Sequence, residues 1–147
     1  MIHQADNKSQ LIDCACRNLR MTTRVVTQYY DKALHASGLK ATQFSLLINI
    51  ASREAGISVN ELAELSMMDQ TTVTRNVEIL RKAGYVIVRI EDSDSRRKSI
   101  AVSEIGKNRL EVAMPLWEEA QLKILQAVGR DEYKNFLEVL TVMQKVK

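Results

Sequence analysis

The feature that most constrains this chain is a run of closely spaced helix signals between Ser58 and Gly84. Ser58-Val59-Asn60-Glu61 has the capping-box form, in which a serine oxygen accepts from the first turn of backbone and a glutamate three residues on reaches back. The helix it starts, Val59 to Ser66, has room for about two turns before the break at Met67-Met68. Asp69 can then cap a second helix over 69–83, whose inner stripe is Val73, Val77, Leu80 and Gly84, with Gly84 at its end. Directly beyond it, Tyr85-Val86-Ile87-Val88-Arg89-Ile90 is rich in β-branched residues, and Ser99-Ile100-Ala101-Val102 is a shorter strand. The long charged turn between them, 91–98, predicts a hairpin whose tip projects into solvent. The expected fold class is mainly α with one small β-hairpin wing, built on a helix-turn-helix over 42–102.

Longer helices flank this unit. From 9 to 36, Ile12, Cys16, Leu19, Thr23, Val26, Tyr30 and Ala33 recur every three or four residues, the stripe of one long helix closed by Ser37-Gly38. A helix over 42–54 opens on Thr42 as its cap, carries Phe44, Leu47, Ile48 and Ala51, and stops before Gly56. Ser103 caps the region 104–147, where Ile105, Leu110, Ala113, Leu116, Trp117, Ala120 and Ile124 mark a helix that Pro115 is expected to bend, and a last helix follows Gly129. With 147 residues, one proline and five glycines, the chain reads as a single helix-rich domain. The terminal stripes exceed what so small a core can cover, so 9–36 and 104–147 are expected to pair two copies as a homodimer, with Leu19, Val26, Trp117 and Leu140 as interface candidates.

The chemistry sits on the second short helix. With Val77 inward, the helical wheel turns Thr71, Arg75, Glu78 and Lys82 outward, with Thr72 and Asn76 on one flank and Thr74 on the other. Arginine can pair with guanine through two hydrogen bonds, glutamine with adenine, and threonine can touch the thymine methyl. Gln70, Thr71, Thr72, Thr74, Arg75, Asn76 and Lys82 are therefore candidate contacts to double-stranded DNA, and a homodimer would meet a pseudo-palindromic operator. Arg96, Arg97 and Lys98 at the hairpin tip suit a narrow minor groove, tempered by Asp92 and Asp94. Net charge is only +3, so the argument rests on where the charges fall.

Other classes fit less well. His3 and His35 are the only histidines, and no nucleophile-base pair or glycine-rich phosphate loop is present, so neither an enzyme nor a cofactor is expected. No apolar run is long enough for a membrane span, and the polar start MIHQADNKSQ lacks signal-peptide character, which predicts a cytoplasmic protein. Cys14 and Cys16 are expected to be thiols in a reducing compartment. Two alternatives stay open: a winged-helix module that docks proteins and not DNA, and a metal sensor using Cys14 and Cys16 with His3 or His35.

Three segments together resemble the MarR family: Ser58-Val59-Asn60-Glu61-Leu62-Ala63, the run from Thr71 to Val86, and Asp94-Ser95-Arg96. The family's L-T-x-x-G after the wing is here Val102-Ser103-Glu104-Ile105-Gly106. The resemblance implies a dimer built from the first and last two helices, a repressor released by a small-molecule inducer or an oxidant. Cys16, Leu19, Arg24, Thr27 and Tyr30 are also similar in spacing to the family's organic hydroperoxide regulators, which implies Cys16 as a redox sensor with Tyr30 nearby. Arg17, Arg20 and Ala41 stand where those regulators carry aromatic residues.

Overall fold

The structure, a computed structural model, describes residues 8, 10–90 and 98–147. In chain order these form α1 (Ala15–Leu34), a 3-10 turn (His35–Ser37), α2 (Ala41–Ala51), β1 (Ile57–Ser58), α3 (Val59–Ser66), α4 (Gln70–Lys82), β2 (Val86–Ile90), β3 (Lys98–Val102), α5 (Glu104–Val128) and α6 (Arg130–Met143). The three strands make an antiparallel sheet in the order β1-β3-β2.

The capping signals act as their chemistry demands. The Ser58 hydroxyl accepts from the Glu61 N–H at 3.1 Å, and the Asp69 carboxylate accepts from the Thr72 N–H at 2.8 Å. Ser103 accepts from Gly106 N–H at 3.0 Å and donates to the Gly84 carbonyl, tying the end of α4 to the start of α5. Gly106 allows that junction: a Cβ there would overlap the Tyr85 carbonyl oxygen and Val102.

Three expectations need correction. The first helix is interrupted at Asp13–Cys14, so its long segment begins at Ala15 and not at residue 9. Asn18 Nδ2 donates to the carbonyls of Ile12 and Cys14, which satisfies the backbone at that break. The second helix starts one residue before Thr42 and ends at Ala51, with Lys40 in the capping position. Asp31 of α1 accepts from Ala41 N–H at 2.7 Å, from outside the helix, while Gln43 within it reaches back to accept from Lys40 N–H at 3.0 Å. A partner ten residues away leaves no local signature. The hairpin gains a third strand, since Ile57 pairs with Ile100 across from Val88; a two-residue strand is too short to carry a period. Trp117 is half-buried, its ring stacked on Phe44 of its own chain with centroids 6.3 Å apart. Helix α5 runs unbroken through Pro115.

The core lies beneath the helix-turn-helix. Leu34, Leu47, Ile50, Ile57, Leu62, Val73, Leu80 and Ile100 are all at most 1% exposed, and they come from six different elements. The terminal helices are packed differently. No residue of α6 is buried, and Phe136, Leu137, Val139 and Val142 stand exposed on it, as Met21, Val25 and Val26 do on α1. Among the described residues, no helix is long and apolar enough to cross a membrane.

Candidate nucleic-acid interface

The turn between α3 and α4 decides how α4 is presented. Met67 closes α3 in the left-handed conformation, φ 52°, a position that usually falls to glycine. The adjoining Met68 N–H reaches back to the Ala63 carbonyl at 3.0 Å, which ties off the end of α3 before Asp69 starts α4. Helix α4 then rests on Val73, Val77 and Leu80, all buried. That leaves Gln70, Thr71, Thr74, Arg75, Glu78 and Lys82 exposed, as the wheel requires.

The two flank positions behave otherwise. Thr72 and Asn76 are half-buried. The Thr72 hydroxyl donates to Asp69 at 2.9 Å, and Asn76 Nδ2 donates to the Thr72 carbonyl at 2.9 Å. Short polar side chains near a helix start find local backbone and cap partners more readily than distant ones, so the Thr72 hydroxyl proton and one of the two Asn76 amide protons are engaged locally. The Thr72 backbone and side-chain donors also hold the Asp69 carboxyl below its ordinary pKa, which keeps the cap ionised.

The C-terminal half of the face carries a charge pair that the wheel did not reveal. Arg81 donates to both oxygens of Glu78, at 2.8 and 2.7 Å, lowering the Glu78 pKa and raising that of Arg81. The charge of Lys98, the first residue of β3, depresses the Glu78 pKa further. Arg75 forms no salt bridge among the described residues, so its guanidinium is available to a ligand. Of the three wing cations, Lys98 is exposed at the base of the hairpin, while Arg96 and Arg97 lie outside the described residues.

One residue beside this face escaped sequence reasoning. Asn60, exposed near the start of α3, accepts from Gln70 Nε2 at 2.6 Å. Its position inside the Ser58 capping box is legible, but a contact to a residue ten positions on depends on the angle between two helices.

Away from this face, a cavity of about 340 Å³ opens between α1, α2 and α5, lined by Tyr30, Leu34, Phe44, Ile48, Met114 and Trp117 among others. The Tyr30 hydroxyl donates to Gln121 Oε1 at 2.5 Å, and Gln121 Nε2 donates to Tyr133 of α6 at 2.9 Å. Burial first, and then neighbouring Tyr133 and Tyr29, raise the Tyr30 pKa. Tyr30 is therefore not the neighbour of Cys16 within one chain: fourteen residues of helix separate them by about 21 Å. Cys16 is exposed in the first turn of α1 and Cys14 is half-buried, both as free thiols. His35 lies beyond the opposite end of α1, about 28 Å from Cys16 at helical rise, so these groups do not converge on a metal ion within one chain. His3 lies outside the described residues.

Comparison with known proteins agrees with this geometry. The sequence pattern of the MarR family matches residues 37–97. The transcriptional regulator MosR of M. tuberculosis, crystallised in complex with DNA, is similar at 35% identity and a TM-score of 0.75, covering 88% of this chain and 98% of that one. The HTH-type transcriptional regulator SarZ of Staphylococcus haemolyticus is 30% identical over 100 residues, 68% of this chain and 67% of the relative. MepR of S. aureus, in a structure with DNA, shares the fold at 19% identity and a TM-score of 0.78, over 89% of this chain and 96% of that one. A family pattern over the helix-turn-helix and wing, joined to relatives at 30% identity and above, makes the chain a member of the MarR family of winged helix-turn-helix transcriptional regulators.

Proposed function

We propose that two copies of this chain bind a pseudo-palindromic duplex operator, each placing α4 in the major groove, and repress transcription until a small molecule releases them. The observation that carries this reading is the outward face of α4, where Gln70, Thr71, Thr74 and Arg75 stand exposed at the end that enters a groove first. MosR, 35% identical and crystallised in complex with DNA, supports a DNA-binding role. Lys98, Arg97 and Arg96 would follow the backbone into the adjacent minor groove. Exposed apolar residues on α1 and α6 supply the surface through which the copies pair. The inducer enters the apolar cavity between α1, α2 and α5, where Tyr30 and Trp117 can stack on a ring and α1 joins the pairing region to the reading region. Cys16, exposed at the start of α1, offers oxidants a second route of release.

The test is binding to operators selected from random duplexes. Arg75→Ala should lose about 1 to 3 kcal/mol of discrimination between the selected operator and a scrambled duplex, with no change in thermal unfolding. A variant as selective as the parent would remove α4 from the groove.

A further inference from the structure

Resting on the DNA-reading role of α4, we infer that Asn60 is a positioning residue that sets Gln70 to read an adenine. Asn60 is the second residue of α3, the helix that does not enter the groove, and Gln70 is the first residue of α4, the helix that does. Both side chains are exposed, yet Gln70 Nε2 donates to Asn60 Oδ1 at 2.6 Å, short for a hydrogen bond between neutral amides. A bond so formed at a solvated surface fixes a side chain that otherwise turns about three single bonds.

The remaining hydrogen-bond capacity identifies the base. Of the two protons on Gln70 Nε2, one goes to Asn60, which leaves a second N–H and Oε1 without a partner among the described residues. An adjacent donor and acceptor match the N7 acceptor and N6 donor of adenine in the major groove. Guanine presents two acceptors at the same edge and would leave Oε1 unpaired. Competition for the two amides is low. Asp69, next to Gln70, is occupied by Thr72, and the first turn of α3 is capped by Ser58 through the Glu61 N–H. Asn60 is therefore not needed to start its own helix.

Operators are first selected from random duplexes with the parent and with Gln70→Ala, which locates the A·T pair whose preference Gln70 carries. At that pair Gln70→Ala should lose about five- to a hundredfold of discrimination. Asn60→Ala should lose about fivefold at the same pair and at no other, the effect of freeing one side chain that the complex must then order. Asn60→Asp keeps the acceptor and should restore the preference at that pair, while weakening binding to all duplexes alike because it adds a negative charge beside the phosphates. In the double variant Asn60→Ala/Gln70→Ala, discrimination at that pair should equal that of Gln70→Ala alone. Thermal unfolding of Asn60→Ala should match the parent. A uniform loss of affinity in Asn60→Ala with every base preference intact would make Asn60 a phosphate contact and overturn the inference. An effect of Asn60→Ala that persists without Gln70 would overturn it too, as would a Gln70→Ala variant with no lost preference. A parent that selects no operator at all would instead remove the DNA-reading role on which the inference stands.

Discussion

The winged helix-turn-helix and the terminal helices are made from similar proportions of apolar residues but end in opposite states. In the former, Leu47, Ile57, Leu62 and Ile100 vanish from solvent almost completely, and each comes from a different element. In the latter, α6 buries no residue fully and leaves Phe136, Leu137, Val139 and Val142 exposed. The first region closes its core within one chain. The second is amphipathic with an open face, and an apolar face of that kind is stable only when another surface covers it. On the proposed reading, the difference separates two tasks: presenting α4 from a rigid body, and coupling two such bodies at the spacing an operator sets.

The largest effect should come from breaking the closed region. Leu62→Ala empties a site that is fully buried in the parent, and denaturant unfolding should show a loss of about 2 to 5 kcal/mol. A loss below half a kcal/mol would mean that this core is loosely packed. The open region should respond in another quantity. Val139→Lys removes apolar burial from both copies of a symmetric interface, so sedimentation should show dimer dissociation favoured about a hundredfold, with folding of the helix-turn-helix retained. A parent that sediments as a monomer at micromolar concentration would end the comparison. The smallest effect concerns Cys16, which lies in the open region and about 21 Å along α1 from the cavity residue Tyr30. Treatment with cumene hydroperoxide, reversed by dithiothreitol, should weaken operator binding of the parent about fivefold in gel shifts and leave Cys16→Ser unaffected. Equal retention of DNA by both proteins under oxidant would leave Cys16 as a structural residue.

What the sequence determined by itself is what depends on neighbours within a few positions. The caps Ser58, Asp69 and Ser103 each bond to a backbone N–H three residues ahead, so their spacing in the chain is their geometry. The buried stripe Val73, Val77 and Leu80 follows from the pitch of one helix, and it turns Thr71, Thr74 and Arg75 outward without reference to anything else. Tertiary structure decided whatever joins elements. The start of α2 is held by Asp31 of α1, β1 exists only because its residues pair with β3, and Trp117 of α5 stacks on Phe44 of α2. Tyr30 shares a stripe with Cys16 but bonds to Gln121, ninety-one residues away, and Asn60 reaches Gln70 only through the angle between α3 and α4. Sequence periodicity records which face a side chain takes, and the distance to a partner on another helix is set by how the two helices pack.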